Sequence, residues 1–239
     1  MWTFSQIWID FVALIFPDKC MVCGEYTDSG VHNICMKCRY KIPLTGYYRV
    51  ENNPVKEYFE TLIPTVQCSS MFYYKSDEMW RMAIHRFKYH AAWIVAYRLG
   101  RWYGLELKGS GLYDDVDVII PVPLYWLKTM TRGYNQCHYL AHGMAREMGV
   151  KVDKYCLYRR RNNPSQTTQS RTERWENVDG IFAVRFPERL RNKHILLVDD
   201  VLTTGATLNA CAQAILRVAP TCRISIATLA VAGRLSNHL

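Results

Sequence analysis

The chain has no run of about 20 apolar residues, the length a membrane-spanning helix requires. Its first apolar stretch, "MWTFSQIWIDFVALIF", is interrupted by Asp10 and meets no Lys or Arg before Lys19. A secretory signal would need a basic region there and a small-residue cleavage site. There is no internal repeat and no low-complexity tract, which excludes solenoid and array architectures. Neither G-x-x-x-x-G-K-[ST] nor G-x-G-x-x-G occurs, so P-loop and dinucleotide-fingerprint chemistry are excluded. Acidic residues are in deficit: 21 Asp plus Glu stand against 30 Lys plus Arg, for a net charge of +9. Such a balance favours anionic partners, namely nucleotides, sugar phosphates, nucleic acid or anionic lipid. Nine cysteines, an odd number with no signal peptide, argue against a disulfide framework and for a reducing, cytoplasmic setting.

What is present is an ordinary globular composition, 49% apolar and 21% charged. Trp2, Phe4, Ile7, Phe11, Leu14 and Ile15 fall near one helical stripe, so residues 1–17 read as an amphipathic helix. Packing on its own protein is the expected role, with a membrane surface or a partner as the alternative. Residues 18–45 are cysteine-rich and short of large apolar side chains. The stretch 49–64 reads as a connection with a short helical piece, 68–76 as a strand, and 77–104 as helix broken near His90. From 116 the pattern alternates: strand 116–123 stopping at Pro121, helix 133–150, strand 180–184, strand 193–198, helix 205–219 and strand 223–232. That alternation predicts a doubly wound, mostly parallel sheet flanked by helices over residues 46–239. The interval 158–178, "YRRRNNPSQTTQSRTERWENV", is polar, rich in arginine and too long for an ordinary connection, which marks it as a lid or binding loop.

Ligands of an open parallel sheet bind beyond the carboxyl ends of its strands. Asp199 and Asp200 stand at such an end, and "LTTGAT" leads from them into a helix. Backbone amides at a helix start form an anion site, and Gly205 lets the chain curl close to it. Thr203, Thr204 and Thr207 add hydroxyls. One part of this feature suits a phosphate and the other suits hydroxyls or a hydrated cation, so a ribose phosphate satisfies both. The alternative is a helix start that a threonine merely caps.

"CMVC" and "CMKC" give C-x2-C-x11-C-x2-C, from Cys20, Cys23, Cys35 and Cys38. Two knuckles of this kind make a closed, structural Zn²⁺ site. His32 is an alternative ligand, and a redox role for the CxxC pairs is a weaker alternative.

The thirteen residues "LLVDDVLTTGATL" resemble the phosphoribosyl-pyrophosphate (PRPP) motif of type I phosphoribosyltransferases. The resemblance implies that Thr203, Thr204, Gly205, Ala206 and Thr207 bind the 5′-phosphate. It implies that Asp199 and Asp200, the residues expected at the catalytic centre, hold the ribose hydroxyls. It also implies a pyrophosphate loop after an earlier strand, where Pro123, Lys128 and Arg132 stand, with Mg²⁺ bound alongside PRPP. The loop 158–178 would be a hood that excludes water, bringing Arg160, Arg171 and Arg174 to the pyrophosphate. Taken in order, the cysteine ribbon, "HRFKYH", "IIPVPLYWLKTMTRGYNQ", the arginine-rich loop and the PRPP motif resemble the ComF family of competence proteins. That resemblance spans roughly residues 18–232. It implies a type I phosphoribosyltransferase fold with an N-terminal Cys₄ zinc ribbon (18–45). It further implies a link to nucleotide metabolism or DNA uptake, and a helicase-like partner.

Three functions stay open. The first is a Mg²⁺-dependent transferase acting on PRPP, acceptor unspecified, with no side chain needed as a nucleophile. The second is a non-enzymatic component that binds single-stranded DNA, in which basic and aromatic residues such as those of 84–90 track a strand. The third is a regulator that senses PRPP.

Overall fold

The sequences "HILLV" and "RISIATLAV" are continuous apolar runs, as expected of strands covered on both faces. In the computed structural model they are the centre of the sheet. The structure describes residues 20, 23–26, 34–74, 93–124, 133–160 and 180–232, with the side chain of residue 39 excepted. The expected amphipathic helix at 1–17, the 84–90 cluster and most of the hood lie outside the described residues.

Five strands pair in the order β1 (Cys68–Tyr73), β7 (Arg223–Val231), β6 (His194–Leu202), β2 (Val118–Pro121) and β3 (Lys151–Val152). Every pairing in this sheet is parallel. Successive side chains on a strand point to opposite faces. Leu196 and Val198 therefore enter one core, with Ile119, Ala227 and Leu229. Ile195 and Leu197 enter the other, with Ile120, Ile224 and Ile226. On the first face lie α3 (Trp93–Ser110) and α4 (Gln136–Met148). On the second lie α2 (Pro54–Glu60) and α5 (Ala206–Val218), which bury Val55, Phe59, Leu208, Cys211 and Ile215. A short helix, α1 (Met36–Tyr40), carries the second cysteine knuckle.

The helices α3 and α4 touch backbone to backbone. A Cβ on Gly100 would lie 2.1 Å from the carbonyl oxygen of Leu140, and one on Gly143 would lie 2.1 Å from that of Tyr97. These two positions set the distance between the helices.

Three expectations are corrected. The strand expected to end at 198 continues to Leu202, because the ladder with β7 carries on through Asp199↔Thr228, Val201↔Ala230 and Leu202↔Val231. The strand at 180–184 does not join the parallel sheet: β5 (Phe182–Val184) pairs antiparallel with β4 (Leu157–Arg159) as a separate ribbon. Burial of Leu157 and Phe182 against α5 favours this arrangement, and it takes Tyr158 and Arg159 out of the expected hood and into a strand.

At the amino end of β6, the buried ring of His194 bonds Asp115 Oδ1 through Nδ1 at 2.7 Å and Ser225 Oγ through Nε2 at 2.9 Å. The order Ser–His–Asp resembles a nucleophilic triad. However, Ser225 and His194 are both fully buried, and the Ser225 hydroxyl also accepts the Gln67 amide, so the arrangement ties strands together rather than meeting a substrate. Among the described residues no helix is long and apolar enough to cross a membrane.

Candidate functional site

The carboxyl end of β6 delivers Asp199 and Asp200, both half-buried, to the rim of the sheet. Asp199 Oδ1 accepts the Asp200 amide at 2.9 Å and the Cys137 thiol at 3.4 Å. Asp200 Oδ1 accepts the Val201 amide at 2.7 Å. These bonds fix one oxygen of each carboxylate, through the next amide in the chain and, at Asp199, also the distant Cys137.

The turn that follows ends at Gly205, which is left-handed (φ 70°) and serves as the N-cap of α5. No side chain caps this helix. The first bond of the helix runs from the Asn209 amide to the Gly205 carbonyl, at 2.9 Å. The amides of Ala206, Thr207 and Leu208 precede it, so the helix cannot satisfy them itself. A threonine-capped helix start is therefore not what the chain builds. Asp199, Val201, Leu202 and the whole turn from Thr203 to Leu208 line a small pocket open to solvent. The Asp199 carboxylate and the uncapped helix start share one cleft, with the Thr203 and Thr207 side chains exposed.

Several contacts were not visible in the sequence. The short helical piece expected in 49–64 is α2, and it lies behind the turn. It starts because Asn53 caps it, its Oδ1 accepting the Val55 and Lys56 amides at 3.1 and 3.2 Å, with Pro54 in the first helical turn. Tyr58, one turn on, donates its hydroxyl to the Thr204 carbonyl at 2.8 Å. Cys137 and Cys211, two scattered cysteines, both feel the Asp199 charge. Burial first, then that charge, pushes each thiol well above its ordinary value, so both stay protonated.

The other side of the cleft is partly described. Pro123 is buried just beyond β2. Asn135 donates to the Val122 carbonyl at 3.0 Å and accepts the Cys137 amide, also at 3.0 Å, joining the end of β2 to the start of α4. Arg160 is exposed and stacks over Tyr158, 5.9 Å from its ring centre. Lys128, Arg132, Arg171 and Arg174 lie outside the described residues.

Arg160 belongs to a wider ledge on the β4–β5 ribbon. Arg185 also covers Tyr158, at 4.4 Å, and Arg189 covers Phe186 at 4.4 Å, whereas Arg159 covers the buried Phe182, at 5.7 Å, on the core side of the ribbon. Phe186 is 46% exposed.

The sulfurs of Cys20, Cys23, Cys35 and Cys38 all lie within 4.8 Å of one another, and none is in a disulfide. Cys23 and Cys35 are 3.7 Å apart, close to the edge of about 3.8 Å that a tetrahedron with zinc–sulfur arms of about 2.3 Å requires. The donor set is soft and closed, so the cluster can hold a zinc ion. Burial, then the neighbouring Cys35, holds the Cys38 thiol far above its usual range, and a bound dication would displace such protons. Cys20, Ile34 and Cys38 pack in the same core as Tyr48, Phe72 and Trp102, so the ribbon is fused to the sheet domain.

Residues 135–237 match the phosphoribosyl transferase domain family. The DNA utilization protein YhgH of Escherichia coli O157:H7 is 31% identical over 140 residues, covering 57% of this chain and 60% of that protein. Competence protein ComFC of Bacillus subtilis is 30% identical over 159 residues, covering 65% of this chain and 61% of that one. The chain thus spans about three-fifths of the length of these relatives. Among solved structures, the glutamine PRPP amidotransferase from B. subtilis complexed with ADP and GMP is 17% identical with a TM-score of 0.35, over 55% of this chain and 25% of that one.

Proposed function

We propose that this chain, whose residues 135–237 match the phosphoribosyl transferase domain family, is a ComF-like protein that binds PRPP and acts as a Mg²⁺-dependent phosphoribosyltransferase-like protein. The single observation that carries this reading is the cleft at 199–208, where the Asp199 carboxylate, with a carboxylate oxygen of Asp200 within 4.8 Å of it, and an uncapped helix start come together. Asp199 and Asp200 would accept the ribose 2′- and 3′-hydroxyls. The amides and hydroxyls of Thr203, Thr204, Gly205, Ala206 and Thr207 would receive the 5′-phosphate. The region of Pro123, Lys128 and Arg132 would take the pyrophosphate, with Arg160, Arg171 and Arg174 arriving from the hood. The acidic pair offers hard oxygen donors that fit Mg²⁺ or its waters, and the ion would neutralise the departing pyrophosphate. Calorimetric titration with PRPP and Mg²⁺ tests the reading. One binding site per chain is expected, and the absence of binding heat and of thermal protection would exclude it.

The cysteine cluster would carry one structural Zn²⁺. The purified chain should contain one zinc per molecule, and its removal by a chelator should lower the melting temperature by about 10 °C. A metal-free preparation that melts at the same temperature as the loaded one contradicts this.

A single-stranded DNA partner is the second reading, supported by the stacked ledge of Arg160, Arg185 and Tyr158. Replacing Arg185 and Tyr158 with Ala should weaken binding of an oligothymidylate about tenfold and flatten its salt dependence. Unchanged binding and an unchanged salt slope would remove the ledge from any such role. The helicase-like partner is carried by the family resemblance alone.

A further inference from the structure

We propose that Tyr58 is a positioning residue for the phosphate turn: its hydroxyl sets the peptide between Thr204 and Gly205 so that the amides of the turn face the anion. The inference rests on the ribose-phosphate reading above. The contact joins residues 146 apart in sequence, the Tyr58 hydroxyl donating to the Thr204 carbonyl at 2.8 Å. In a planar trans peptide the carbonyl and the following amide point in opposite directions. Holding the Thr204 carbonyl toward α2 therefore aims the Gly205 amide away from α2. Tyr58 does not line the cleft, whereas Thr204 and Gly205 do, so the ring stands behind the turn and the amide faces the ligand side.

The ring also limits recoil. A Cβ on Gly205 would come within 2.9 Å of Tyr58 Cε1 and 3.3 Å of Phe59 Cζ, so the aromatic pair closes off the space behind the turn. Tyr58 is itself braced edge-on by Phe59, with ring centres 5.5 Å apart, and Phe59 is fully buried. The base of the helix is secured by Asn53, whose amide donates to the carbonyls of Val50 and Cys68 at 3.1 and 2.9 Å. Rigidity thus passes from the core through α2 to a turn that no side chain caps. A turn held in its binding form before the ligand arrives leaves less ordering for the ligand to impose.

The test compares the full chain with Tyr58→Phe, which keeps the ring and removes one hydroxyl, and with Tyr58→Ala. Three quantities are read: affinity for ribose 5-phosphate, affinity for Mg²⁺-pyrophosphate, and ligand-free melting temperature. For Tyr58→Phe the expected result is an approximately fivefold weaker ribose 5-phosphate affinity, the weight of one hydrogen bond. Pyrophosphate affinity should not move, and the melting temperature should fall by no more than the few degrees that one hydrogen bond is worth. Amide hydrogen exchange at residues 204–207 should rise in the same variant. Tyr58→Ala should weaken ribose 5-phosphate further. If native protein and Tyr58→Phe bind ribose 5-phosphate equally, the positioning role is overturned while the ribose-phosphate reading stands. Equal losses for both ligands with a lowered melting temperature would mean general packing, and also overturn it. If the native chain binds no ribose 5-phosphate, both fall together.

Discussion

Gly143→Ala should be among the most destabilising single-methyl changes in the chain. The new Cβ would sit 2.1 Å from the Tyr97 carbonyl oxygen and 2.7 Å from the Arg101 amide nitrogen. Both are backbone atoms of α3, so no side chain can turn aside and the two helices must separate. Separation opens the core they share, which holds Leu99, Trp102, Leu140 and Met144. Overpacking a tight interior costs about 1–3 kcal/mol and sometimes more, and rigid backbone on the far side puts this case at about 3 kcal/mol or above. For a domain of this size that is a fall of about 10 °C in melting temperature. Gly109→Ala, near the end of the same α3, provides the contrast, because nothing lies within 4 Å of its added Cβ. It should be neutral or stabilise by about 0.5–1 kcal/mol, since it only removes backbone freedom from the unfolded chain. The same chemical change should therefore give opposite signs at two sites, one on each helix of the pair. Equal melting temperatures for the two variants would show that the helices do not meet at Gly143 as described.

The second large effect concerns Asp199 and Asp200. Asparagine keeps an oxygen at each position, able to accept the amides of Asp200 and Val201 and the Cys137 thiol, so the strand end should persist. What is lost is charge. If the cleft were a simple anion site, removing two negative charges next to it would strengthen phosphate binding. If the pair grips a ribose diol, the loss of charge-assisted hydrogen bonds should weaken PRPP affinity by about 100-fold for Asp199→Asn and Asp200→Asn together. The two alternatives predict opposite signs, so calorimetry on the double variant separates them. Inorganic phosphate, which has no diol, should bind the double variant at least as well as it binds the native chain.

The acidic pair, the threonine–glycine turn and the four cysteines were legible because each is local. Asp199 to Thr207 is one unbroken strand–turn–helix segment, and each CxxC knuckle closes within four residues. The alternation of strand and helix from 116 to 232 announced a mostly parallel sheet for the same reason. Contributors that depend on distant pairing were not legible. Helix α2 was expected as a short helical piece within 49–64, but its place behind the turn was not. The role of Tyr58 exists only once Thr204 has been folded against it. β5 was expected as a strand, but its three-residue partner β4 was not, and the ribbon forms through burial of Leu157 and Phe182. The close approach of α3 and α4 depends on Gly100 and Gly143 meeting across two helices, which spacing along either one does not reveal. Cys137 was counted among scattered cysteines, and only the fold brings its thiol to Asp199.

The most direct measurement is a crystal structure of the full chain soaked with ribose 5-phosphate. The phosphate is expected against the amides of Gly205, Ala206 and Thr207, with the sugar hydroxyls on Asp199 and Asp200. A phosphate bound elsewhere, or one seated in the turn with its ribose directed away from the acidic pair, would contradict the ribose-phosphate site.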